Sequence, residues 1–276
     1  MAHKSIAAVV IIAATVFGLW CVHWDSAPLN TRVIIAGSSC MGRMLDALAE
    51  GYNTNKGGWV QAQLGGTELG LLGLEQGVCD IASCSRTLTE EEKLRFDYRA
   101  VALDAIAVAV HPTNDITEIS AAELHDIYAG IITDWAQLGQ RTGPIVVVGR
   151  EAASGTRSAF ESAIGLNAPA THSQEHSETG MLRTAIATAP GAIGYLSFDY
   201  IDDTVRQVPV NGVTPNEATI RLGRYPITRE FLLCTRKGET RTQVLAFLAY
   251  AESDEGRNII RSLNMLPAQA KGKASP

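Results

Sequence analysis

Aromatic side chains are scarce in this chain, at 6% of 276 residues, whereas Gly, Ala, Val and Ile are abundant. A core with few rings and many small or β-branched side chains suits buried parallel strands packed under helices. Positive charge is also short: 23 Lys and Arg stand against 29 Asp and Glu, a net charge of −6. That balance argues against a general nucleic-acid binder, and no nucleic-acid partner is expected. It does not exclude an anionic ligand, because a buried site works through local donors. Five cysteines, at positions 21, 40, 79, 84 and 234, make no disulfide framework, and Cys79 and Cys84 lack partners at zinc-ligand spacing. The six histidines are scattered. His172 and His176 are four apart, but in a Ser/Glu-rich segment that reads as exposed surface. No Gly-Lys-Ser/Thr occurs, and no Gly-x-Ser-x-Gly elbow surrounds Ser154. The expectation is a protein that is not an enzyme and has no metal or cofactor.

The first 28 residues form a separate object. Lys4 is followed by an uncharged apolar run from Ser5 to Trp20, which resembles a secretory signal. The exit is poor for cleavage, because bulky Trp20 precedes Cys21 and Asp25-Ser-Ala27 is followed by Pro28. A run of about 18 apolar residues is near the lower limit for spanning a bilayer. An uncleaved anchor, a cleaved signal and an atypical lipoprotein signal all export the remainder, leaving it periplasmic or on the extracytoplasmic face.

From Arg32 the pattern is strand, turn, helix. Val33–Ala36 is an apolar strand, Gly37-Ser-Ser-Cys40 a turn, and Met41–Tyr52 an amphipathic helix. Val60–Leu64 leads through Gly65-Gly66-Thr67 into a helix from Glu68 to about Gln76. Cys79–Ala82 leads into Ser83–Arg86. Thr89-Glu-Glu-Glu92 and Ser120-Ala-Ala-Glu123 are capping boxes. Val101–His111 is a long apolar run, and Ile145–Val148, Gly191–Leu196 and Glu230–Cys234 are further strands. Helices at about Arg241–Ala251 and Gly256–Leu263 close the chain, and 267–276 is a flexible tail. This alternation indicates an α/β fold with a largely parallel sheet covered on both sides.

Val147-Val-Gly-Arg150-Glu-Ala-Ala-Ser154-Gly155-Thr156-Arg157 is the most informative stretch. A strand ends at a fixed cation, and Ser-Gly-Thr then opens a helix, Arg157–Ile164. Two readings fit: a capped helix beside a surface Arg, or an oxyanion site built from helix N–H groups, a close-approach Gly and a guanidinium. The other turns favour the second. Gly37–Cys40, Gly66-Thr67 and Ser83–Arg86 also follow strands, and ligands in open α/β sheets sit beyond the carboxyl ends of strands.

Taken in order, these turns resemble those of the phosphate-binding proteins of bacterial phosphate ABC transporters. The resemblance spans about Thr31 to Leu266. It rests on Gly37-Ser-Ser39, Asp80-Ile-Ala-Ser-Cys-Ser85-Arg86, Val108-Ala-Val-His-Pro112, Tyr128–Trp135, Arg150–Arg157, Ala192-Ile-Gly-Tyr195 and Tyr225-Pro-Ile-Thr-Arg229. It implies the type II periplasmic-binding-protein fold, two α/β lobes joined by crossover strands with ligand in the cleft. Lobe one is then 29–112 plus 196–266, and lobe two 113–195. The implied function is capture of inorganic phosphate by a monomer that docks on the membrane subunits of an ABC transporter. The family's ligand positions fall on Ser39, Cys40, Thr67, Ser85, Arg150, Ser154, Gly155 and Thr156. Cys40 stands where the family has a hydroxyl, Glu68 introduces a negative charge beside the second turn, and Ser85 stands where some relatives carry an acidic proton acceptor. A membrane-anchored sensor or interaction domain of this fold, or a binder of sulfate or molybdate, are the alternatives.

Overall fold

The computed structural model describes residues 32–141 and 143–269. The first 28 residues, read above as signal or anchor, lie outside the described residues, as do 270–276 of the tail. Among the described residues no helix is long and apolar enough to cross a membrane.

The chain runs β1 (Arg32–Gly37), α1 (Gly42–Lys56), β2 (Trp59–Leu64), α2 (Thr67–Glu75), β3 (Ile81–Cys84), α3 (Glu90–Arg95) and β4 (Phe96–Val110). It continues through α4 (Ala121–Tyr128), β5 (Val146–Arg150), α5 (Gly155–Ala163), β6 (Gln174–His176), α6 (Thr179–Thr188) and β7 (Ala192–Ser197). The last elements are β8 (Arg206–Val208), α7 (Glu217–Arg221), β9 (Thr228–Arg236), α8 (Thr242–Glu252), α9 (Asp254–Ser262) and β10 (Leu266–Pro267).

Local chemistry sets several boundaries. Thr89 Oγ1 accepts from the Glu92 amide while the Glu92 carboxylate accepts from the Thr89 amide, starting α3, and Ser120 and Glu123 do the same for α4. Gly57, at φ 68°, ends α1 in the left-handed conformation that costs glycine least. A 3₁₀ turn, Ser39–Met41, intervenes between β1 and α1. The helix expected from Arg157 begins two residues earlier, at Gly155, because Ser154 is its N-cap and accepts from the Arg157 amide. Gln174–His176 and Thr179–Thr188 form β6 and α6.

The strands lie in the order β2-β1-β3-β9-β4-β7-β5-β6, with β8 and β10 also pairing β4. Pairing is parallel in β1/β3, β5/β7 and β5/β6, and antiparallel where β9 and β4 join the two ends. β4 is the long connector. Its residues Phe96–Ala105 pair β9, and Ile106–Val110 pair β7 and β8. β4 thus begins at Phe96, five residues before the apolar run read from Val101, because Phe96–Ala100, which include Asp97 and Arg99, pair with β9. Two large apolar clusters lie on either side of this handover. One gathers Val33, Ile35, Met44, Leu45, Leu48 and Phe247. The other gathers Val108, Ile127, Tyr128, Trp135, Phe160 and Tyr195, and also takes in Val208, Ile220 and Tyr225. The expected α/β fold is what the chain adopts, but the sheet is mixed where a largely parallel one was expected, because β9 and β4 run antiparallel to their neighbours.

Candidate functional site

Three strand-to-helix turns meet at the ends of β1, β2 and β3. Gly37 has φ 139°, and a Cβ there would lie 2.2 Å from the Ser83 carbonyl, so only glycine lets β1 and β3 approach this closely. Its carbonyl accepts from the Gly65 and Gly66 amides, both at 2.9 Å, which draws the second turn against the first. Ser38 Oγ donates to Ser85 Oγ at 2.7 Å. Thr67 Oγ1 accepts from the Ser85 amide at 3.2 Å and lies 3.3 Å from Ser85 Oγ. Three hydroxyls from three turns therefore form one cluster, and each residue is almost fully buried.

The fourth turn closes over them. The Glu68 amide donates to the Ala153 carbonyl at 3.2 Å. Gly155 packs so tightly that a Cβ would lie 2.3 Å from Thr67 Oγ1 and 2.8 Å from Ser85 Oγ. α2 and α5 thus begin at this junction. Their first-turn amides have no intrahelical acceptors and carry the partial positive charge of a helix start. Ser154 Oγ accepts from the Arg157 amide, which occupies an oxygen lone pair and leaves the O–H as a donor. Thr156 is buried beside it.

Arg150 supplies the charge. It is 1% exposed, among the largest fully buried side chains. Nε donates to the His176 carbonyl (3.0 Å) and Nη1 to Thr179 Oγ1 (3.1 Å). Nη2 donates to Ser39 Oγ (3.1 Å), the Ser177 carbonyl (2.6 Å) and Glu151 Oε1 (3.2 Å). The Arg150 amide donates to Tyr195 Oη, whose ring stacks on Phe160 at 4.2 Å. Four of the five side-chain partners are neutral, and Glu151 is partly exposed. A buried guanidinium so weakly neutralised sits better with an anion beside it than without one.

Glu68 does not aim its charge at the cluster. Its carboxylate is held by Arg86, with Nε to Oε1 at 2.8 Å and Nη2 to Oε2 at 3.0 Å. Arg86 also binds Glu92, whose carboxyl is held below the usual carboxylate range by that guanidinium. The repulsion expected from Glu68 is met within the chain.

Of the residues picked out from sequence, Ser39, Thr67, Ser85, Arg150, Ser154, Gly155 and Thr156 converge. Cys40 is beside them, but its thiol lies 3.1 Å from Ser38 Oγ and accepts from Arg229 Nη2 at 3.4 Å, in a fully buried position. Ser38 and Tyr195 lie in segments quoted above but were given no role in the site, and Thr179 lies in none of them. The sequence reading also missed the buried pair of Arg229 with Asp104 (2.7 Å), although Arg229 ends one of the quoted segments. One reading is corrected. The His172 side chain is 2% exposed, lies against Gly149 and meets Tyr128 edge-on at 5.9 Å, although Ser173, Gln174 and Glu175 beside it are exposed as expected. Among the described residues no group of three or more His, Cys, Asp or Glu is arranged to hold a metal ion.

A two-lobed α/β sheet with helix starts, hydroxyls and one weakly neutralised guanidinium gathered at its switch point defines a solute-binding protein of the type II periplasmic-binding-protein fold. The profile of the PBP superfamily domain matches residues 25–255. The phosphate-binding protein PstS of Bacillus subtilis (strain 168) is 34% identical over 242 residues, covering 84% of this chain and 79% of that protein. A Clostridium perfringens structure described as a phosphate ABC transporter substrate-binding protein with bound phosphate superposes with a TM-score of 0.82. It is 32% identical and covers 86% of this chain and 100% of its own. An ABC-type phosphate transport receptor from Vibrio cholerae superposes at 0.73 with 31% identity, over 85% and 99%. The chain belongs to the PBP superfamily, among the PstS-like phosphate-binding proteins.

Proposed function

We propose that this chain is an exported, non-catalytic binding protein that captures inorganic phosphate between its lobes and delivers it to the membrane subunits of an ABC transporter. The observation that carries the reading is the buried Arg150 guanidinium, which reaches Ser39 Oγ across the junction of four turns while most of its partners are neutral. Hydroxyls of Ser39, Thr67, Ser85, Ser154 and Thr156 can each donate to or accept from a phosphate oxygen. The amides of Cys40, Gly155 and Thr156 add donors that need no counter-charge. This set offsets the cost of desolvating a dianion with one cation. The names borne by the related proteins point to the same ligand.

Lobe one spans about 29–112 and 196–266 and lobe two 113–195, with β8 and α7 resting on the core of lobe two. The protein acts as a monomer, placed periplasmically or on the extracytoplasmic face by its N-terminal segment. Calorimetric titration with phosphate tests the reading. Binding in the micromolar range or tighter is expected, and no heat at sub-millimolar phosphate refutes it. Arg150→Ala removes charge-assisted hydrogen bonds worth about 1.5–3 kcal/mol each and weakens binding by at least about tenfold. Unchanged binding by that variant moves the site elsewhere.

A further inference from the structure

Arg229 belongs to none of the four turns, yet its guanidinium touches two of them. It lies in β9, 6% exposed, and is paired in register with Asp104 of β4. Nε lies 2.8 Å and Nη2 2.7 Å from Asp104 Oδ2. Nη1 donates to the Ser85 carbonyl at 3.0 Å, and Nη2 donates to Cys40 Sγ at 3.4 Å. Asp104 also accepts from Ser197 Oγ at 2.9 Å and the Phe198 amide at 3.2 Å, at the end of β7. One planar fork therefore joins the exits of β1 and β3 to the strands that cross between the lobes.

We propose that Arg229 is a positioning residue of the anion cradle, and that Cys40 gives its side chain to Arg229 and only its backbone to the anion. The inference rests on the reading of the cradle as a phosphate site. A guanidinium offers donors in fixed directions, so three acceptors bound at once fix the spacing of the groups that carry them. Here the acceptors belong to Asp104, to Ser85 and to the residue after Ser39. Arg229 thus adds a second tie between two ligand turns that Ser38 and Ser85 already join directly. Because Asp104 neutralises Arg229, its contribution to binding is geometric. The thiol is a weak acceptor, but it is the group through which Arg229 reaches the first turn, and it lies in the same apolar cluster as Val33, Ile35 and Met44.

The test compares Cys40→Ala with Cys40→Ser by phosphate calorimetry on the whole exported chain, alongside thermal unfolding. Both variants lose the same sulfur, so any packing loss is shared, but only serine keeps an acceptor for Arg229. Alanine is expected to weaken phosphate binding about fivefold, the scale of one lost hydrogen bond, and serine to restore it to within about twofold of the parent. In an Arg229→Lys background, which keeps the charge pair with Asp104 but not the fork, phosphate binding weakens about tenfold. The difference between serine and alanine then vanishes. Equal binding by parent, alanine and serine forms overturns the proposal, as does a serine–alanine difference that survives Arg229→Lys. A serine form binding several-fold tighter than the parent also overturns it, because residue 40 would then reach the anion. If Arg229→Lys does not fold, the Cys40 pair decides alone. A parent that takes up no phosphate refutes the phosphate reading and this inference with it; a parent that binds beside indifferent variants refutes this inference only.

Discussion

Gly155→Ala isolates the junction between the fourth turn and the other three. The added Cβ would lie 2.3 Å from Thr67 Oγ1, 2.8 Å from Ser85 Oγ and 2.9 Å from Thr67 Cβ. Thr67 cannot rotate away cheaply, since its χ1 is stiff and its hydroxyl accepts from the Ser85 amide. Overpacking of this kind costs about 1–3 kcal/mol. The cost falls only on the closed arrangement, in which α5 and α2 begin against each other. Once the lobes separate, alanine at the first position of α5 is harmless, and it stabilises by up to about 1 kcal/mol through the unfolded chain. Gly155 lies outside the left-handed region, so no backbone strain offsets that gain. Phosphate binding, which draws on closure, is therefore weakened about 5- to 150-fold, while the melting temperature without ligand is unchanged or slightly raised. Calorimetry with phosphate and differential scanning calorimetry without it measure the two quantities. Binding within twofold of the parent, or an equal loss of affinity and ligand-free stability, refutes the reasoning.

Two further perturbations are expected to act differently. Glu68→Gln leaves phosphate affinity within about threefold, because Arg86 already neutralises the carboxylate it replaces; a tenfold gain would mean that Glu68 does oppose the anion. The Asp199 side chain is 2% exposed and lies beside the charge of Asp104; burial, with that neighbour, pushes its carboxyl up to about 7. A carboxyl raised on folding binds its proton more tightly in the native state. Its contribution to stability therefore falls as pH rises from about 4 to about 7, by at most about 1.4 kcal/mol per pH unit. Asp199→Asn should flatten that slope in melting temperatures measured across the window, and an unchanged slope would refute the assignment.

The parts of the site visible in the sequence are those written in short segments. Ser154 as an N-cap, Arg150 at a strand end, and the Gly37 and Gly66-Thr67 turns are each specified by their immediate neighbours, and the capping boxes at Thr89 and Ser120 are likewise local. What escaped depends on distance along the chain. Arg229 and Asp104 are 125 residues apart, and nothing in either segment shows that a register in β9 and β4 brings them together. Thr179 reaches Arg150 only because α6 follows a short strand laid beside β5. The Ser/Glu-rich composition around His172 suggested solvent, yet β6 is paired and Gly149 leaves room for the imidazole. Cys40 shows both sides of this. Its position in the turn was legible, but the direction of its thiol was set by an arginine 189 residues away.

The most direct test of the account is a crystal structure of the exported chain with phosphate. The account predicts one anion enclosed between Ser39, Thr67, Ser85 and the Gly155-Thr156 amides, with an Arg150 Nη within about 3 Å of a phosphate oxygen and the Cys40 thiol still on Arg229. An anion held away from Arg150, or no bound anion in crystals grown at millimolar phosphate, would contradict it.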